Sequence, residues 1–387
     1  MSVLPPGPDD PVVREVTKFA ARHRLDVRYR ELDRAPAFPR AEYRAMGKAG
    51  LLGLRTSTRF GGRGLPLPVV GRALFHLAYR SGTAFAKLSL QPEFSSVLAD
   101  HGSPELVDEW FRPMVRGEKV VGNQVTEPGA GSDALGIALS ATRDGDSYLL
   151  TGEKSEIALC EDADAAIVYA RVPGDDPRGG ITAFLVPQDL DGIERRTTSG
   201  DLGERWQRRG AARYDHARVP SRFRIGEEGK GFDYLRTELT QERALLAAIY
   251  LGPAFASWEA TVAYAREREV FGKPLLRQEG VSFPLAQDIG RLSSDWLYTE
   301  RTLSLLEEGH DVAAEAALSK WMAVEDGLRA IDHAIQFHGG RGYSRDLPHE
   351  QRWRDVRSGA IAHGPSEIML VVAGHELRAR GPRSSGV

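Results

Sequence analysis

Hydrophobic spacing changes period twice along these 387 residues, and that change bounds the fold before any motif is read. Helical signals run through residues 11–24, 40–50, 67–79 and 104–116, divided by Gly- and Pro-rich connections. From about 122 to 225 the punctuation differs. Short β-rich runs at 148–150, 165–169 and 181–186 are bounded by turn clusters at 143–146 and 173–177. After Gly231 the helical period returns. Phe255, Trp258, Val262 and Ala265 step by three and four, as do Trp321, Val324, Leu328, Ile331 and Ile335. The pattern predicts an α+β chain, mostly α: a helical domain over 1–121, a β domain over 122–226 and a helical domain over 227–387.

Charge and cysteine content narrow the function classes. A net charge of -3 supplies no basic field for nucleic acid. No uninterrupted apolar run approaches the ~18 residues of a membrane span, and the N-terminus shows no secretory signal. Cys160 is the only cysteine, so neither an intrachain disulfide nor a thiolate metal cluster can form. A cytoplasmic protein without a metal is expected.

The densest motif is Val125-Thr126-Glu127-Pro128-Gly129-Ala130-Gly131-Ser132-Asp133. Pro, Gly, Ser and Asp would equally build an ordinary surface turn. Glycine also exposes backbone N–H groups to a phosphate or to the edge of a flat ring. The order of the residues resembles the flavin-binding signature of the acyl-CoA dehydrogenase family. Other elements resemble it too, in family order. They are Gly50–Leu54 with Phe60-Gly61-Gly62, Arg268-Glu269-Val270-Phe271-Gly272-Lys273-Pro274, Gln336 with Gly339-Gly340-Arg341-Gly342-Tyr343, and Gly364-Pro365-Ser366-Glu367-Ile368.

The resemblance implies the acyl-CoA dehydrogenase fold, with a β-barrel-like middle domain and a C-terminal four-helix bundle, and it implies FAD as cofactor. Backbone at Val125 and Thr126 would meet the flavin ring and Ser132 would bond the pyrophosphate, with Gly131, Ile157 and Ala158 also at the cofactor and Pro365 and Glu367 on the last helix. Arg268, Phe271, Gln336, Gly339 and Gly340 would hold the far end of a neighbouring subunit's FAD, so a homodimer or homotetramer is expected, with FAD near the interface. An Arg fork suits a diphosphate.

Several positions depart from the family. Its "K-x-W-I-T" element is here Lys154-Ser155-Glu156-Ile157-Ala158, and Pro365 replaces a threonine. Each neutral hydrogen bond that a ligand forgoes costs on the order of 1 kcal/mol. The glutamate that precedes "G-T-S-E-I" in most members, and that abstracts the α-proton of a thioester, is replaced by His363. Some members carry the base earlier, directly before an arginine, where this chain has Glu242-Arg243. The alternative for that pair is a solvated surface feature. Glu242 stands ahead as base; His363 is the alternative, or hydrogen-bonds substrate oxygen or flavin, or proton abstraction is lost.

After Ile368 the chain reads Met369-Leu370-Val371-Val372-Ala373-Gly374-His375, without the cations that CoA-binding members present. The expected substrate is an acyl thioester on an acyl or peptidyl carrier protein or on CoA, in secondary metabolism, with an unnamed electron acceptor. Ser132, Glu156 and Arg243 are expected at the substrate, Glu156 facing a polar or cationic acyl group. The alternatives are a flavin monooxygenase on the same fold and a non-catalytic member serving as a scaffold.

Overall fold

A computed structural model describes residues 10–174, 180–198 and 200–380; residues 175–177 of the expected 173–177 turn lie outside them. The chain divides into two compact units. One comprises Met1–Asp33, Pro66–Lys87 and Thr240–Val387, and the other Arg34–Leu65 and Leu88–Leu239.

The first stretch carries helices α1 (Pro11–Arg22), α2 (Leu25–Arg34), α3 (Arg40–Lys48) and α4 (Leu67–Ser89). Asp10 caps α1 by accepting from the Val12 N–H, and Pro11 opens the helix where its missing donor costs nothing. Ser81 and Gly82 leave helical geometry inside α4. A β-carbon on Gly82 would lie 2.2 Å from the Tyr29 ring, so the kink admits that ring. Helices α5 (Ser96–His101), α6 (Pro104–Leu106) and α7 (Arg112–Val115) follow, α6 and α7 joined by a π turn over Val107–Phe111.

The strands are β1 (Val121–Gln124), β2 (Ser140–Asp144), β3 (Ser147–Ile157), β4 (Ala165–Arg171), β5 (Ile181–Pro187), β6 (Ile193–Thr197), β7 (Gly210–Pro220), β8 (Arg224–Ile225), β9 (Glu269–Val270) and β10 (Lys273–Pro274). The first eight form one sheet in the order β6-β7-β3-β2-β4-β5-β8, with β1 parallel to β4. Strands β4 and β5 are buried almost throughout, which is why they read as continuous apolar runs. Strand β3 breaks register with β7 at Leu150/Gly152 and again at Lys154/Ile157. The second irregularity puts Glu156, which stands at the family's aromatic position, at φ 57. Cys160 is buried in this sheet's core, its thiol donating to the Ala211 carbonyl.

Helices α8 (Gly231–Glu267), α9 (Glu279–Glu307), α10 (Ala313–Phe337), α11 (His349–Arg357) and α12 (Ser366–Arg380) complete the chain. Helix α8 is long and apolar enough to cross a membrane, but 78% of that stretch is buried within the protein, as in a core helix. Gly252 of α8 sits against α4: a β-carbon there would lie 2.7 Å from both the Phe75 carbonyl oxygen and the Tyr79 nitrogen. Such close packing sets how nearly two helices approach.

Candidate active site

Two groups of expected site residues lie in different units, and each is built by its own elements. In the β-sheet unit the flavin signature follows β1. The fully buried Lys154 donates to the Val125 carbonyl and to Glu127 Oε1, both at 2.8 Å. Glu127 also accepts the N–H groups of Ala138 and Leu139, at 2.6 and 3.0 Å. The Thr126 carbonyl is taken by the Ser155 N–H. The signature's own glutamate is therefore structural, and with Lys154 it pins the backbone of Val125 and Thr126. Burial lowers the Lys154 ammonium to about 8, against the pull of Glu127.

What this segment leaves outward fits a flavin and its phosphates. Around Gly129 and Gly131 a β-carbon would meet no atom within 4 Å. The Thr126 and Ser132 hydroxyls have no protein hydrogen-bond partner among the described residues, and Ser132 is exposed. Ile157 turns into the sheet's core, while Ala158 is half-buried. Glu156, expected at the substrate, is exposed and accepts from Arg209 at 2.8 Å, and Arg209 is also held by Asp201. A cation for Glu156 thus comes from its own chain. Sequence spacing held no sign of it, because Arg209 is brought up by the pairing of β3 with β7.

The helical unit holds the expected base. Glu242, at the start of this unit's part of α8, is 3% exposed, which removes the solvated-surface reading. Its Oε2 lies 3.7 Å from His363 Nε2. Arg243 points to the same loop rather than to open solvent: its Nε donates to the His363 carbonyl at 3.2 Å. Lys320 of α10, 1% exposed, donates through Nζ to the carbonyls of Ala362 and Gly364. Lys87, buried in α4, places its ammonium 4.9 Å from the centre of the Tyr250 ring.

Three cations thus surround one imidazole. Burial first, then Lys320, Lys87 and Arg243, push the His363 pKa well below its ordinary value, although 28% of the side chain stays exposed. Burial, then Arg243 and Lys87, lower Lys320 to about 7. Burial lowers Arg243 too, opposed by Glu242. His363 is therefore a neutral imidazole at physiological pH. Lys87 and Lys320 were missed from sequence, yet a signal was there: Ala317, Lys320, Val324, Gly327 and Ile331 share one helical face, and that face is buried.

Pro365 is half-buried and Glu367 exposed at the start of α12. Arg268, Gln336, Gly339 and Gly340 lie at least partly open to solvent, and Phe271 is 96% exposed at φ 50, beside Gly272 at φ 75. Tyr343 is 89% exposed. No group of three or more His, Cys, Asp or Glu side chains among the described residues could hold a metal ion.

Family models of the acyl-CoA dehydrogenase N-terminal, middle and C-terminal domains match residues 10–118, 122–216 and 229–377. The chain is 33% identical over 352 residues to the short-chain specific acyl-CoA dehydrogenase of Mus musculus mitochondria, covering 90% of this chain and 85% of that one. Among solved structures it superposes on butyryl-CoA dehydrogenase from Megasphaera elsdenii with a TM-score of 0.90, at 26% identity over 98% of this chain and 100% of that one. It also superposes on the prolyl acyl carrier protein oxidase AnaB with a TM-score of 0.88, at 25% identity over 95% and 97%. The chain belongs to the acyl-CoA dehydrogenase family, FAD-dependent oxidoreductases that act on acyl thioesters.

Proposed function

We propose that this protein oxidises an acyl thioester tethered to a carrier protein, with Glu242 removing the α-proton. The observation that carries the base assignment is the buried Glu242 carboxylate facing a neutral His363. A group that must take a proton is ill served by neighbours that repel the protonated form, and three cations repel protonated His363. Glu242 carries its carboxylate beside the Arg243 guanidinium, whose charge it supports. His363 then stands as a neighbour of the base, 3.7 Å from its carboxylate. Bound FAD supplies the acceptor for the hydride that leaves the β-carbon. Val125, Thr126 and Ser132 would hold the flavin ring and pyrophosphate.

The carrier-protein reading rests on α12. Leu370 and Val371 are exposed there, and no Lys or Arg stands between Ser366 and Glu376 to meet a nucleotide phosphate. A phosphopantetheine arm needs no such cations. The family neighbour named as a prolyl acyl carrier protein oxidase supports the same substrate class. The accessible patch of Arg268, Phe271, Gln336, Gly339 and Gly340 supports a homodimer or homotetramer in which that patch covers a neighbour's FAD.

Anaerobic mixing of the FAD form with matched acyl-CoA and acyl-carrier thioesters tests the reading. Flavin bleaching should favour the carrier form by about tenfold or more in kcat/KM. Equal or faster bleaching by acyl-CoA would overturn the carrier assignment while leaving the dehydrogenase reading in place.

A further inference from the structure

Residues 362–364 form a turn whose three consecutive carbonyls all face cations. Lys320 Nζ donates to Ala362 O and, at 2.6 Å, to Gly364 O; Arg243 Nε donates to the His363 O between them. The turn is not one the chain adopts unaided. His363 sits at φ 55 and Gly364 at φ 92. A left-handed conformation is unfavourable for a residue with a β-carbon, so the surroundings must impose it. Gly364 cannot be replaced freely either: a β-carbon would lie 2.7 Å from Met369 Cε and 3.3 Å from Arg243 Nη2.

We propose that Lys320 is the positioning residue of the Glu242–His363 pair, its buried ammonium spanning the Ala362 and Gly364 carbonyls so that the imidazole is held against the carboxylate. The role rests on the reading of Glu242 as base. Lys320 reaches the turn from α10, whereas Arg243 and Glu242 come from α8 and Lys87 from α4. Four charged side chains therefore face His363: Glu242, Arg243, Lys320 and Lys87. Lys320 bonds both flanking carbonyls. A lysine carries three donors on a flexible stem, which suits one head group to two divergent acceptors.

The charge of Lys320 matters as well as its bonds. It stands first among the cations that hold the imidazole neutral. A neutral ring places no net charge beside Glu242, whereas an imidazolium would form an ion pair and pull the carboxylate toward itself. Lys320 therefore keeps Glu242 available, without touching substrate.

Two variants test this, Lys320→Met and Lys320→Arg, each as purified FAD-loaded protein. Thermal unfolding first confirms that each variant folds. Exchange of the His363 ring C2 hydrogen, followed by mass spectrometry against pH, reads the imidazole directly. In Lys320→Met its midpoint should rise by on the order of one unit, because one buried like charge is gone. The rate of flavin reduction by thioester should fall about tenfold or more with KM nearly unchanged. Its pH profile should gain an acidic limb at the new midpoint. Lys320→Arg restores the charge and should return the midpoint toward that of the parent. An unmoved His363 midpoint in a folded Lys320→Met protein overturns the proposal, as does a slowed rate that the arginine variant leaves uncorrected together with an unshifted midpoint. If no thioester bleaches the parent's flavin, the dehydrogenase reading fails instead, and the ring exchange still decides the positioning role.

Discussion

At the scale of single residues, Glu127 and Lys154 form a charged pair with almost no access to water. Removing one partner of such a pair strands the other, at a cost of about 3–5 kcal/mol. Glu127→Gln should therefore destabilise the protein by that amount. Lys154→Met should cost less, roughly 1–3 kcal/mol, because Glu127, though it loses the ammonium, keeps two backbone donors. Urea unfolding of both variants checks the order, and a more damaging Lys154→Met would contradict the assigned partners. Glu242→Gln should slow flavin reduction by thioester roughly 10²–10⁴-fold. If single-turnover bleaching in that variant kept pace with the parent, Glu242 would not be the base.

At the scale of elements, Gly252 shows where propensity and packing disagree. Alanine in mid-helix is favoured over glycine by about 1 kcal/mol. Yet a β-carbon at 252 would press on the α4 backbone at Phe75 and Tyr79. Gly252→Ala should thus lower stability by roughly 1–3 kcal/mol, the usual cost of overpacking; a stabilised variant in chemical denaturation would refute the close approach. The long helices and the apolar strands β4 and β5 were legible in the sequence because their periods are long and uniform. Helix α2 was not announced: its charged stretch LDVRYRELDR buries only Leu25, Tyr29, Leu32 and Asp33. Strand β6 was equally silent, because IERRT exposes polar residues along much of its length. The motif order singled out Glu242 and His363 as candidates, but their company could not be read. Lys87, Arg243 and Lys320 come from three helices, and only tertiary packing brings them to one imidazole.

At the scale of the whole molecule, buried histidines make the fold acid-sensitive. Burial, aided by Arg352 and His338, lowers His349 to about 3, and burial likewise lowers His338 and His363. Below pH ~6.5 the unfolded chain takes up protons that the folded chain refuses, so stability is full above that pH and is lost toward the folded values. Each such histidine contributes about 1.4 kcal/mol per pH unit in that window. Asp295 opposes one of them: burial and Asp326 raise its carboxyl to about 7, so it favours the fold as pH falls from there toward 3.8. The net expectation is a falling Tm between about pH 6.5 and 5, with a shallower slope in His349→Phe. A flat profile over that range would show that the histidines protonate in place.

Cys160 has a practical consequence for questions about assembly. The chain's one thiol is buried, raised in pKa by that burial, and bonded to the Ala211 carbonyl, so it should ignore maleimides under native conditions. The natural sequence is thus already a silent background for site-directed spin labelling. A cysteine placed at exposed Leu202 would be the sole reactive handle per copy. Dipolar distances between labels on different copies would then count subunits and map their symmetry without touching Phe271 or any residue of the site.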